Sequence, residues 1–345
     1  MPYIPENKRN SKGSATKVLI ALVILVLIAT NIATAALLLR TGATLQEAIA
    51  AGAIVTDAEA FAEPSIPVSV MLDYAERDGI SIEFLQRFFS DRIVLWDQSR
   101  LKTIPINDAL KRSNFNAKHI VLQENGIRTY EPNGEDISLL GIDVSSYQGI
   151  INWGKVKADG VDYAIVRLGY RGYGTGSIRL DDRYETNMAQ AISADVPVGV
   201  YFYSQAITVE EAEEEAQFVL DNLSDFDITY PVVFDMEEVD DAAARTNGLT
   251  QAERTAITIA FCEKIKAAGY TPMIYGNIRW MIIHLDLAEL EGYDKWFAQY
   301  FKQPFFPYDF SMWQYTARGT IDGIDHEVDL NLGLVDYAKD KTNAT

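Results

Sequence analysis

From residue 139 onward, short apolar runs alternate with helical segments, and this rhythm restricts the fold more than any other feature of the chain. The runs "GIDVSSYQ" (141–148), "DYAIVRLGY" (162–170), "PVGVYFYSQ" (197–205), "YPVVFDMEE" (230–238) and "TPMIYGN" (271–277) read as buried strands. Between them, "WGKVKADG", "RYETNMAQAISAD", "TVEEAEEEAQFVLDNL" and "TQAERTAITIAFCEKIKAAG" read as helices. The glutamates of the third helix form a solvated face, opposite Ala212, Ala216, Val219 and Leu220. Repeated strand-helix-strand units imply a parallel sheet, because parallel neighbours need long crossovers.

Three more strands are expected at "KWFAQY" (295–300), "FSMWQYT" (310–316) and "HEVDLNLG" (326–333). The gaps between them, about ten residues each, are too short for crossover helices. The expectation is an α/β fold: a TIM-like β/α barrel variant with eight strands, about five helices and an irregular last three strands, spanning 139–338. An open doubly wound sheet is the structural alternative. Residues 339–345 are left as a tail.

The upstream part has a different character. Val18 to Leu39 is an uncharged run long enough to cross a bilayer core of about 30 Å as a helix. Lys8, Arg9, Lys12 and Lys17 precede it, so residues 1–17 are expected to be a cytoplasmic tail, with everything after the run outside the cell. That places the protein in the cell membrane as a single-pass protein. A cleaved signal peptide is the competing reading, since Ala33-Thr34-Ala35 resembles a cleavage site. Residues 40–67 read as a stalk ending in the helix-stopping "EPSIP", and 68–138 as a small juxtamembrane α+β region.

Composition then removes whole classes of chemistry. A lone Cys262 excludes an internal disulfide and any CxxC or Cys/His zinc site, and the three histidines lie in no hydrolase-like or HExxH-like setting. Residues 1–40 hold five of the 30 Lys and Arg and one of the 49 Asp and Glu, leaving 25 against 48. So acidic an external part disfavours nucleic acid as a partner.

Acids concentrate where strands end, which in a parallel barrel is where reacting groups belong. Alternation in "VVFDMEE" puts Val233, Asp235 and Glu237 on one face. Their spacing places the Asp235 and Glu237 Cα atoms roughly 6 to 7 Å apart. Two carboxylates so close repel, and the less solvated keeps its proton to higher pH, which is how a general acid arises beside an ionised partner. Asp143, read as early in the first strand, and Asp329 in the last become neighbours if the barrel closes. Taken singly, each could instead cap a local turn, Asp143 with the serines after it and Asp329 with Asn331.

Aromatics gather late in the same strands: Tyr147, Tyr201, Tyr203, Tyr275, Trp296, Tyr300, Trp313 and Tyr315. They could fill the barrel core, or line a groove that stacks on sugar faces while Gln299 and Gln314 bond hydroxyls. Carboxylates and aromatics without His, Cys or a phosphate-cradling loop fit glycoside cleavage better than acyl or phosphoryl transfer.

Seven motifs, "GIDVSSYQGIINW", "YAIVRLGYRGYGTG", "VGVYFYSQA", "VVFDMEE", "YGN", "KWFAQY" and "MWQYT…G…G…VDLN", occur in order between Leu140 and Gly333. Together they resemble glycoside hydrolase family 25, the Chalaropsis-type lysozymes or N-acetylmuramidases. The resemblance implies hydrolysis of the β-1,4 bond between N-acetylmuramic acid and N-acetylglucosamine in peptidoglycan, with no metal or organic cofactor. By position it makes Glu237 the proton donor, and Asp235 the residue that stabilises positive charge at the anomeric carbon or assists the substrate's acetamido group. Asp143 and Asp329 match the two other acidic site positions. A peptidoglycan-binding scaffold that kept the barrel without turnover, and a wall amidase or endopeptidase, remain as alternatives at this stage.

Overall fold

In the computed structural model of the protein, the described residues are 81–86, 89–97 and 100–339. They belong to the second of two compact units, Tyr74–Thr345. The apolar run 18–39 and the segments expected to be a cytoplasmic tail (1–17) and a stalk (40–67) lie outside the described residues. No helix of the described residues is long and apolar enough to cross a membrane.

The described chain opens with a short helix, Ile82–Gln86 (α1), and a hairpin of β1 (Arg92–Asp97) and β2 (Arg100–Pro105). A second small hairpin follows, β3 (Ile120–Leu122) with β4 (Arg128–Tyr130). The barrel strands are β5 (Leu139–Val144), β6 (Tyr163–Arg171), β8 (Val198–Ser204), β9 (Val232–Met236), β10 (Pro272–Asn277), β11 (Asp294–Ala298), β12 (Met312–Gly319) and β13 (Val328–Gly333). A three-residue strand that the pattern does not foretell, β7 (Ile178–Leu180), pairs antiparallel on the end of β6. Pairing of β5 with both β6 and β13 closes the ring, so the open-sheet alternative is excluded.

Helices α2 (Trp153–Ala158), α3 (Tyr184–Ser193), α4 (Val209–Leu223) and α5 (Gln251–Ala267), with a π-helical turn at Trp280–His284, occupy the crossovers up to β11. Their starts are legible locally. Thr208 accepts from the Glu211 backbone N–H, and Thr250 forms a reciprocal capping box with Glu253.

The parallel expectation fails at one strand. Seven barrel strands run parallel, but β13 is antiparallel to both β12 and β5. The link from Gly319 to Val328 is too short for a parallel crossover, so the chain turns back on itself. A second correction concerns Asp143, which is the fifth residue of six in β5 and not early in its strand. The strand begins at Leu139, and Ser145 caps a 3-10 turn over Ser146–Gln148 that ends it.

Side chains alternate between two packed layers. Tyr163, Ile165, Tyr230, Val233, Met273, Tyr275, Trp296, Ala298, Met312 and Tyr337 fill the barrel interior. Tyr163 stacks on Tyr230 at 4.4 Å and lies so close to Gly141 that a Cβ there has no room. Val232, Phe234 and Met236 point outward, where Phe234 meets Phe261 of α5.

Among the described residues no α-helix covers the outside of β11–β13, and the segment upstream of the barrel lies there instead. Arg128 of β4 lies over the outward rings of Trp313 and Tyr315, 5.0 Å from each centroid, and donates to the Phe301 carbonyl at 2.7 Å. Phe115 packs between Tyr130 and Phe310, at 4.4 and 5.3 Å. Ser113 donates its backbone N–H to the Pro307 carbonyl at 3.0 Å, and Asn107 donates to the Tyr308 hydroxyl at 2.8 Å.

Candidate active site

The parallel strands and the reversed β13 deliver acids to one mouth. Asp143 near the end of β5 and Asp329 near the start of β13 are direct register partners. The reversal of β13 is what brings an early residue of the last strand level with a late residue of the first. On β9, Asp235 is 6% exposed and shares the inward face with Val233, and Glu237 follows on the same face just beyond the strand, half-buried. Side-chain alternation in "VVFDMEE" therefore holds.

The hydrogen bonds around Asp143 exclude its reading as a turn cap. Its Oδ2 accepts from Gln314 Nε2 at 3.0 Å and from Asn331 Nδ2 at 2.8 Å. Both donors are themselves fixed: Asn331 Oδ1 accepts from Trp296 Nε1 at 2.7 Å, and Gln314 Oε1 accepts from the Tyr275 and Tyr300 hydroxyls at 2.9 and 2.8 Å. Asp235 differs, since its Oδ1 is buried with no hydrogen-bond partner among the described residues.

All four carboxyls hold protons to unusually high pH. Burial, then the charge of Asp329, pushes Asp143 well above the carboxylate range, although its two amide donors pull it back. Burial, then Glu237 and Asp143, raises Asp235 in the same way, against the opposing pull of Arg167. Glu237 is raised to about 7 by burial and by Asp329, and Asp329 to about 6 by burial. Groups that depress one another's ionisation in this way lose protons in steps that belong to the set, so the mouth retains protons near neutrality.

The aromatic candidates separate into three groups. Trp296, Tyr275 and Tyr201 form the interior floor beneath the acids, with Trp296 edge-on to both tyrosines at 4.8 and 6.5 Å. Tyr203 reaches the same side, where burial, with Asp235 and Glu237 nearby, raises its phenol pKa and keeps it a donor. Tyr147 stands at the rim, 78% exposed, 6.5 Å from the His326 ring. Trp313 does not join the mouth: its ring faces outward against Arg128 and Phe115, and its Nε1 donates to the Gln299 carbonyl. Gln299 uses its side-chain oxygen to accept from the Phe305 backbone, which ties the 299–305 loop, while Gln314 is the amide at the acids.

Two residues of the site were not singled out from sequence. Asn331 links Asp143 to Trp296, and period-two alternation in "VDLN" already sets it on the face of Asp329. Arg167 opposes the raised pKa of Asp235 while Asp181 holds its guanidinium, Nε donating at 2.8 Å. Alternation through Tyr163 and Ile165 points it inward.

Comparison with known proteins agrees with this geometry. The profile of "Glycosyl hydrolases family 25" matches residues 142–324, more than half of the 345-residue chain. Lysozyme M1 of Streptomyces globisporus is 27% identical over 203 residues, covering 55% of this chain and 66% of that protein. The structure of the modular autolysin LytC from Streptococcus pneumoniae superposes with a TM-score of 0.54 at 23% identity, covering 71% of this chain and 57% of LytC. LytC has also been solved in complex with a synthetic peptidoglycan ligand, with the same agreement. The chain thus spans just under two thirds of that lysozyme and little more than half of that autolysin. Eight strands that close into a ring, acids from β5, β9 and β13 at one mouth, and a family match that runs over 142–324, from within β5 through β12, lead to one conclusion: this chain belongs to glycosyl hydrolases family 25.

Proposed function

We propose that the protein is a peptidoglycan muramidase, hydrolysing the β-1,4 bond between N-acetylmuramic acid and N-acetylglucosamine. The observation that carries the reading is the inward pair on β9, a buried Asp235 with an unpartnered oxygen followed by a half-buried Glu237 held near pH 7. In it Glu237 donates its proton to the glycosidic oxygen as the bond to the anomeric carbon breaks, and water supplies the new hydroxyl. Asp235 stabilises the positive charge at that carbon or orients the acetamido group. Burial alone would give the proton to Asp235. Glu237 is favoured as donor by its place beyond the strand end, where it is half-buried and Asp235 is buried, and by a pKa near the working pH. Asp143 and Asp329 set the charge of the mouth, Trp296 and Tyr275 form its buried floor, and the half-buried Tyr201 and Tyr203 offer their rings to the sugars. Tyr147 extends that surface at the rim.

The reading includes attachment to the cell membrane through residues 18–39, with residues 1–17 in the cytoplasm and the barrel outside. The long uncharged run and the four basic residues before it support this. Protease added to intact protoplasts should then remove the barrel while residues 1–17 stay protected.

The decisive experiment incubates the full chain with purified peptidoglycan and identifies products by mass spectrometry. New reducing ends at muramic acid are expected, and Glu237→Gln should lower their release by about 10² to 10⁴. Free peptides would instead mark an amidase. Binding without turnover at any pH from about 4 to 8 would leave a wall-binding scaffold.

A further inference from the structure

Glu237 lies beyond the last residues that β9 pairs with its neighbours, Met236 opposite Ser204 of β8 and Asp235 opposite Tyr275 of β10. The sheet therefore does not hold the backbone that carries it. The first side-chain tie after the strand is at Glu238, whose carboxylate pairs with the Arg279 guanidinium. Arg279 immediately precedes the π-helical turn Trp280–His284. Its other edge grips Asp97, Nε donating to Oδ1 at 2.8 Å while one terminal nitrogen forms an ion pair with the same oxygen at 2.8 Å.

Asp97 is the last residue of β1, far outside the family match at 142–324, and it is only 7% exposed. Lys102 of β2 also pairs with it, and these two cations hold its carboxyl below the usual range, so it stays ionised. A guanidinium suits this place because its planar fork serves two carboxylates at once, which an ammonium does not do with fixed geometry. The outer bond to Glu238 is exposed and adds little stability. Its consequence is geometric, because a reacting group displaced by about 1 Å can lose 10² in rate.

We infer that the β1–β2 hairpin is a working part of the active site: Asp97 fixes Arg279, Arg279 fixes Glu238, and this chain positions the adjacent Glu237. Arg279 and Asp97 are positioning residues and touch no substrate. The inference rests on the muramidase reading for its consequence in rate, but the tether itself can be measured without it.

The test compares the full chain with Asp97→Asn and Arg279→Lys, reading kcat and KM on soluble peptidoglycan fragments, and amide exchange at 237–240 against 232–235. Both variants should lower kcat about tenfold with KM within about threefold, and speed exchange at 237–240 while β9 stays protected. A kcat within about twofold of the parent with unchanged exchange would overturn the inference. So would faster exchange throughout 232–240, which would mark general loosening. If the parent chain itself released no sugar ends, the muramidase reading would fall, and the exchange contrast would still decide whether the tether exists.

Discussion

Asp143 and Asp329 face one another directly across the antiparallel seam between β5 and β13, although 186 positions separate them in the chain. Paired antiparallel residues have Cα atoms about 4.5 to 5.5 Å apart, so two carboxyls here cannot both ionise freely. The charge of Asp329 also reaches Glu237, where it adds to burial in raising the pKa to about 7.

Asp329→Asn should therefore move the Glu237 pKa down from about 7 toward its ordinary value. The alkaline limb of the kcat profile, where the donor loses its proton, should shift to lower pH. Measurement of kcat across pH in both proteins checks this, and an unmoved limb would remove Asp329 from the control of Glu237.

Stability should fall as pH rises through the range in which these acids titrate. The folded protein holds protons on Asp329 and Glu237 up to about 6 and about 7, whereas the unfolded chain releases them near 4. Between those limits the folded state binds more protons, so stability is greatest below about pH 4 as far as these two groups are concerned, and declines toward pH 8. Glu237→Gln should flatten part of that decline and raise stability at pH 8, by on the order of 1 to 3 kcal/mol. Denaturant unfolding at pH 5 and pH 8 measures it.

Arg128→Ala should destabilise the barrel without altering its acids. The side chain covers two outward rings of β12 and donates to the Phe301 carbonyl, so a loss of about 1 to 3 kcal/mol is expected. Chemical unfolding gives the loss, and the pH dependence of kcat should stay as in the parent.

A chain beginning at residue 140 should be far less stable than one beginning at Ser81. Removing residues 81–139 uncovers Trp313, Tyr315, Phe306 and Phe310, which that segment covers in the full protein. Loss of cooperative unfolding or rapid aggregation of the shorter chain is the expected outcome, by calorimetry and light scattering. Equal melting temperatures for the two would contradict it.

Asn331→Ala should affect both stability and the site. It removes a donor from Asp143 and leaves the Trp296 Nε1 without its acceptor, a buried loss of about 1 to 3 kcal/mol. With one amide fewer to stabilise its charge, Asp143 should titrate still higher, which carboxyl-selective infrared titration would detect.

The order of strands and helices, the inward face shared by Asp235 and Glu237, and the family itself were determined by the sequence, because apolar periodicity, capping residues and strand-end acids are local signals. Period-two alternation also pointed Asn331 and Arg167 inward, but polarity alone does not say what an inward residue will meet. Tertiary structure decided the rest. Whether Trp313 lines the mouth or backs the wall depends on which face of β12 turns inward, and the first residues of both faces are buried. The reversal of β13 followed from a short link, yet its result, Asp329 beside Asp143, exists only once the ring closes. The pairing of Asp97 with Arg279, 182 positions away, leaves no trace in either local sequence, because an ion pair between distant segments is specified by the fold that brings them together.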